Sequence, residues 1–325
     1  MSGAEQALSE RRFVVCGEAL IDLVSDPSEK GDTFSTPWSA LSAGGPMNTA
    51  VGLAKLGATS RFLGRLSSDA FGRQLRGHLE AAEVGLELAV SSAQATSLAV
   101  VDLDDSGKAS YTFHFDRTAN FSWQRDELPA LGEHDWFHAG SLALIVPPGA
   151  EVLLDWAAGL RCPVSLDLNV RSAVVGDPEE YWRRLEPWLQ VVGDQGVIKA
   201  SDEDVEFLAQ APALASGRWQ QVAEQWMATY RVGTIVITRG EGGASALDSE
   251  GRWTEVPGFP TEVVDTVGAG DTFMAGFLDG FVRRGNDLEG SLCRGAAAAS
   301  IVCSRQGAQP PTADEVEALI SRDVR

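Results

Sequence analysis

Apolar positions recur along this chain with two alternating periods. Residues 12–17 carry an unbroken apolar run, Phe13-Val14-Val15-Cys16, as expected of a strand buried on both faces. Residues 46–56 switch to helical spacing, with Pro46 in the first turn and Gly57 just past the end. Asp69 then reads as the N-cap of a helix that carries Phe71, Leu75 and Leu79 on one stripe and closes at Gly85. After residue 130 the same rhythm returns. Strands are predicted over 136–138, 164–168, 197–200 and 234–238, and helices over 151–159, 180–191, 202–208 and 219–230.

Residues 97–120 break this pattern. Two strand-like runs, 97–103 and 109–115, flank Asp104-Asp105-Ser106-Gly107, a hairpin turn signal. The second run alternates Tyr111, Phe113 and Phe115 against Thr112, His114 and Asp116, as in a half-buried antiparallel ribbon. The reading is an α/β fold: one doubly wound, mainly parallel sheet covered by helices on both faces. A small β appendage is inserted from about 18–42 and 97–120, and the whole of 1–325 forms a single domain. Ligands of such sheets sit at the carboxyl ends of the strands.

Composition narrows the function. With 46 acidic and 26 basic residues the net charge is −20, a surface that repels nucleic acid and anionic lipid. An anionic ligand must therefore be held by local donors. No apolar run approaches the ~18 residues a membrane span needs. Residues 1–12 hold no stretch suited to a signal peptide. Cys16, Cys162, Cys293 and Cys303 form no C-x-x-C pair and read as free thiols of a cytoplasmic protein.

The chemistry concentrates in three segments. Val264-Asp265-Thr266-Val267-Gly268-Ala269-Gly270-Asp271-Thr272-Phe273 opens a helix, marked by Phe273, Phe277 and Phe281 and ended by Gly285. Unencumbered backbone N–H groups at a helix N-terminus form an anion cradle, and a carboxylate in that first turn is favoured in its ionised form. Asp271 is thus a candidate general base beside a candidate anion hole built from Gly268, Ala269 and Gly270. Gly44-Gly45-Pro46-Met47-Asn48 offers close backbone approach and an amide side chain. In Gly17-Glu18-Ala19-Leu20-Ile21-Asp22, an acid just past the first strand can accept from two sugar hydroxyls. Neither a Walker A loop nor a G-x-G-x-x-G fingerprint occurs.

Together these segments resemble the ribokinase/PfkB family of carbohydrate kinases, over about residues 12–313. The carboxy-terminal signature matches at 265–271 and runs on through Ala275-Gly276. The amino-terminal signature matches at 44–48, followed by Leu56-Gly57 and Phe62-Leu63-Gly64. The resemblance implies a ribokinase-like core with a β-sheet lid and ATP-dependent transfer to a primary sugar hydroxyl. Asp271 would be the base, with Asp22, Gly44, Gly45, Asn48, Arg171 and Phe115 on the sugar side. Arg171 lies in a D-x-N-x-R segment with Asp167 and Asn169. Thr238, Gly240, Gly243, Ser201 and Lys199 would stand on the nucleotide side. The resemblance further implies Mg2+ carried with ATP, room for K+, and a homodimer formed through the lid.

The family's N-x-x-E segment reads Ser201-Asp202-Glu203-Asp204 here. This leaves two readings of Asp204: a magnesium ligand, or half of a helix capping box. The start at Gly17 looks like that of fructokinases, so fructose is the expected acceptor. The alternatives are 2-keto-3-deoxygluconate, then ribose or a nucleoside, or a sugar-binding regulator without turnover. An alignment placing Asp116 where ketodeoxygluconate kinases carry Arg favours a neutral hexose.

Overall fold

The computed structural model describes residues 11–25, 34–103, 109–212, 214, 218–285 and 287–323. In chain order the first elements are β1 (Arg12–Cys16), β2 (Leu20–Ser25), β3 (Trp38–Ala43), α1 (Gly45–Lys55), β4 (Thr59–Leu63) and β5 (Arg65–Ser67). Next come α2 (Ala70–Ala81), β6 (Val90–Ser92), β7 (Leu98–Leu103), β8 (Ala109–His114), β9 (Asp135–Gly140), α3 (Gly149–Ala157) and β10 (Val164–Asp167). Then follow α4 (Pro178–Val192), β11 (Val197–Ser201), α5 (Asp202–Leu208), α6 (Trp219–Tyr230) and β12 (Thr234–Thr238). The chain closes with β13 (Ala244–Asp248), β14 (Trp253–Val256), α7 (Ala269–Leu278), α8 (Leu288–Cys303) and α9 (Ala313–Asp323).

The main sheet has the order β14-β13-β12-β11-β10-β9-β1-β4. Pairing is parallel from β12 to β4 and antiparallel at β13 and β14. β1 shows why its apolar run does not alternate. Val14 and Cys16 enter one core with Phe137, Leu166, Ile198, Trp188 and Trp226. Phe13 and Val15 enter the other with Met47, Leu53, Val197, Phe273 and Phe277. Arg12 at the start of β1 is exposed, whereas these four residues have no exposed surface. Helices on each side bury them, which is what makes the sheet doubly wound.

A second sheet, β3-β2-β7-β8, stands apart from the first. Its register brings Leu20 opposite Ala43, Asp22 opposite Ala99, and Ala99 opposite Phe113. Opposed residues share a face, so Leu20, Asp22, Ala43, Ala99, Tyr111 and Phe113 all project to one side. The other side, with Leu23, Ala40 and Leu98, packs on the core below α1 and α2. The Asp104–Gly107 turn signal and residues 26–33 lie outside the described residues.

The structure differs from the sequence reading in two places. Asp69 does cap α2, accepting from the Gly72 N–H at 2.7 Å, but the helix stops at Ala81. Glu83, with φ 61°, makes the left-handed turn there, and Gly85 bridges to Arg61 instead of closing the helix. β4, the β13–β14 hairpin, α8 and α9 go unpredicted. β4 begins Thr59-Ser60-Arg61, too polar to read as a central strand. α8 is small and apolar on most sides and shows no single stripe. All four cysteines are free, and among the described residues no helix is long and apolar enough to cross a membrane.

Candidate active site

The parallel strands end at a cleft of about 460 Å³, roofed by the second sheet. Its walls come from four places. Glu18 and the face of Leu20, Asp22, Ala99, Tyr111 and Phe113 form one, and Ala43 to Asn48 another. Ser141 and residues 169–173 form the third, and Thr266 to Asp271 the fourth. Segments far apart in sequence thus meet where an open α/β sheet is expected to hold its ligand.

Asp271 occupies the first turn of α7 and is only 7% exposed. Its Oδ2 accepts from the Asn48 amide at 2.9 Å, which ties the two signature segments together. Burial raises its pKa, and the Asn48 hydrogen bond, Lys199 and Arg171 oppose that rise. Gly268 caps the helix at φ 76°, and a side chain there would meet Ala308 Cβ at 2.7 Å. Helix geometry leaves the N–H groups of Gly270 and Asp271 without intrahelical partners. The Ala269 N–H donates to the Thr266 carbonyl at 3.2 Å. The cradle donors are therefore Gly270 and Asp271, with Ala269 contributing a small side chain. Asp265 braces the preceding loop, accepting from Val267 N–H at 3.0 Å and Gly307 N–H at 2.8 Å.

The glycine pair makes room. A Cβ on Gly45 would stand 3.0 Å from Asn169 Nδ2 and 3.1 Å from Asp271 Oδ1. Gly44, at φ 126°, lies against the Glu18 carbonyl. Asp22 is half-buried, and burial pushes its pKa up to about 6 against the pull of Arg171. Asp22 lines the cleft, and among the described residues no hydrogen bond is made to its carboxylate, which leaves it able to accept from a ligand. Arg171 is the one basic side chain lining the cleft among the described residues. Its backbone N–H donates to the Tyr181 hydroxyl at 3.0 Å.

The remaining predicted residues fall elsewhere. Phe115 does not line the cleft. β8 ends at His114, and Phe115 packs edge-on against Phe121, with ring centroids 5.5 Å apart. Tyr111 and Phe113 take the cleft positions. Asp116 is exposed and away from the cleft, so the acceptor argument built on it does not hold. Lys199 is 3% exposed and bonded to both oxygens of Asp167, at 3.1 and 2.9 Å. It sits beneath Gly270, where a Cβ would lie 2.9 Å from Nζ. Thr238, Gly240 and Gly243 line the same carboxyl edge, at the end of β12, outside the cleft itself.

Ser201 and Asp204 cap α5 reciprocally, at 3.0 and 2.8 Å. The second Asp204 oxygen accepts from Val170 N–H at 2.9 Å. Both oxygens are engaged with backbone, which does not suit a metal ligand. Asp204 instead tethers the loop that presents Arg171. Among the described residues no three acidic, His or Cys side chains converge as a metal cage.

Glu18 and Ser141 had no role in the sequence reading. Glu18 offers a weak signal, an acid just after the glycine that ends β1. Ser141 offers none, because its φ of 58° is invisible in sequence.

Comparison with known proteins bears on this arrangement. The pfkB family carbohydrate kinase profile matches residues 10–315. A fructokinase of Klebsiella pneumoniae is 32% identical over 275 residues, covering 83% of this chain and 84% of that protein. A crystal structure of fructokinase with bound ATP from Xylella fastidiosa superposes with a TM-score of 0.84 at 27% identity, covering 98% of this chain and 100% of the other. A Vibrio cholerae O395 fructokinase, in a fructose, ADP and calcium ion bound form, gives 0.81 at 26%, covering 96% and 99%.

Proposed function

The chain belongs to the pfkB family of carbohydrate kinases, and we propose that it is a fructokinase, transferring the γ-phosphate of Mg·ATP to a primary hydroxyl of fructose. The observation that carries the acceptor reading is the charge of the cleft. Asp22 and Asp271 line it, Glu18 is buried behind them with its pKa pushed up to about 7, and among the described residues Arg171 is the one basic side chain of the lining. A neutral polyol can donate hydroxyls to this set, whereas an acidic acceptor such as 2-keto-3-deoxygluconate meets net negative charge. The relatives named fructokinase support the same choice.

In this reading Asp22 and Asn48 hold sugar hydroxyls, and Tyr111 and Phe113 cover the apolar face of the sugar. Asp271 takes the proton of the attacking hydroxyl as its oxygen bonds to the γ-phosphorus and the bond to the β–γ bridging oxygen breaks. The Gly270 and Asp271 N–H groups and Arg171 offset charge on the phosphoryl oxygens. The nucleotide lies along the edge marked by Thr238, Gly240 and Gly243. Among the described residues no acid cage forms, so in this reading Mg2+ is held by the ATP phosphates and water.

The test is ADP release with Mg·ATP against fructose, ribose, 2-keto-3-deoxygluconate, adenosine and no acceptor. Fructose should give the highest kcat/KM, with ketodeoxygluconate at least ~10-fold lower. Turnover with ketodeoxygluconate alone would retain a sugar kinase and reject the charge argument.

The second sheet also supports a homodimer. Leu41 and Tyr111, both 49% exposed, share its cleft-side face. A second copy laid across this face would cover both. Light scattering should return twice the chain mass, and Tyr111→Asp should shift it toward the monomer.

A further inference from the structure

Glu18 has contacts on two walls of the cleft at once. It is 2% exposed and follows Gly17 at the end of β1. On one side its carbonyl oxygen lies against Gly44, so close that a Cβ there would be 2.5 Å away. Gly44 leads into α1, which presents Asn48 and through it holds Asp271. On the other side the carboxylate accepts from the Ala143 N–H at 3.3 Å, in the turn that begins with Ser141, whose side chain lies beside it.

Ser141 is in the left-handed region with a full side chain, a conformation that costs free energy unless its surroundings hold it. It follows β9, the sheet neighbour of β1. Its Cβ stands 3.7 Å from the position of a Cβ on Gly45, the same point flanked by Asn169 and Asp271. A buried carboxylate accepting from a backbone N–H of the turn is well suited to hold it.

We propose that Glu18 is a positioning residue for the acceptor: its buried carboxylate ties the Ser141–Ala143 turn to the Glu18 backbone on which Gly44 packs, and so sets where the acceptor hydroxyl lies relative to Asp271. Glu18 need not touch the phosphoryl group. Its action on the acceptor passes through the two walls it joins, and the nucleotide edge at Thr238 to Gly243 lies outside its reach. The inference rests on the sugar kinase reading above, and its own prediction is a split between substrates.

The test compares Glu18→Ala, Glu18→Gln, Ser141→Ala and the Glu18→Ala/Ser141→Ala double variant by steady-state kinetics, with urea unfolding as a check on the fold. Glu18→Ala should lower kcat/KM for the sugar by ~10–50-fold while the KM for ATP stays within about twofold. Glu18→Gln keeps an acceptor oxygen for the Ser141–Ala143 turn and should recover at least half of that loss on a logarithmic scale. The double variant should lose little beyond Glu18→Ala alone, because the two side chains act as one unit. Equal losses for sugar and ATP, independent multiplication of the two single effects, or a Glu18→Ala variant with unaltered sugar kinetics would each overturn the inference. If Glu18→Ala unfolds, the isosteric Glu18→Gln decides alone: its sugar kcat/KM should fall at least threefold with ATP KM unchanged, and no fall rejects the brace. No turnover by the unmodified protein with any sugar would instead reject the functional reading.

Discussion

Asp271→Asn is expected to lower kcat by roughly 10²–10⁴-fold, the range general-base removal produces, or about 3–5 kcal/mol of barrier. Sugar and ATP KM should stay within about threefold. The substitution is nearly isosteric, and the new side chain can still accept from the Asn48 amide that holds Oδ2 at 2.9 Å. What it loses is proton affinity at one buried atom beside the α7 N-terminus. Because burial raises the Asp271 pKa, the base is active only once the pH exceeds that raised value, so kcat should fall as pH falls. The Asn variant should lack this acid limb. A loss below tenfold, or a variant that keeps the limb, removes Asp271 from the role of base.

The proposed cradle and base could be singled out in sequence because they share one turn, where two glycines open a helix beside Asp271, and the resemblance to the family supplied their roles. Which N–H groups are free, those of Gly270 and Asp271, needed the structure, because the Ala269 N–H is taken by the Thr266 carbonyl. The doubly wound sheet was legible for a related reason: buried parallel strands such as β1 and β12 are apolar at nearly every position. Residues whose meaning depends on distant partners were not legible. Asp204 could be a ligand or a cap until its two oxygens were seen bonded to Ser201 and Val170 N–H groups. Phe115 continues the alternation of Tyr111 and Phe113, but the strand ends one residue earlier and Phe121 takes its ring. The part proposed for Glu18 could be argued only once the turn after β9, more than a hundred residues away in sequence, was placed against it. Asp116 shows the opposite failure, since its sequence position suggested the cleft and the structure leaves it in solvent.

Lys199 was expected on the nucleotide side, and its actual position carries the second large prediction. Nζ bonds both Asp167 oxygens, and the two side chains are 4% and 5% exposed. Burial works against the ammonium, but Asp167, Asp204 and Asp271 outweigh it, so its pKa lies above the ordinary lysine value. Lys199→Met should therefore cost about 3–5 kcal/mol of stability, chiefly because Asp167 stays buried without its partner. Adding Asp167→Leu removes that stranded charge and should return the urea unfolding free energy to within about 1–2 kcal/mol of the unmodified protein. Activity should not return with it. The ammonium lies directly under Gly270; a lone unit charge some ~6–10 Å from the phosphoryl group would be worth about 2–3 kcal/mol at an effective dielectric near 20, but the Asp167 carboxylate bonded to it offsets most of that and leaves about 1 kcal/mol for the pair. The stable double variant should remain roughly fivefold slower in kcat, the rate equivalent of that energy. Recovery of both stability and rate would make the pair purely structural, whereas recovery of stability alone identifies the Lys199–Asp167 pair as part of the phosphoryl cradle.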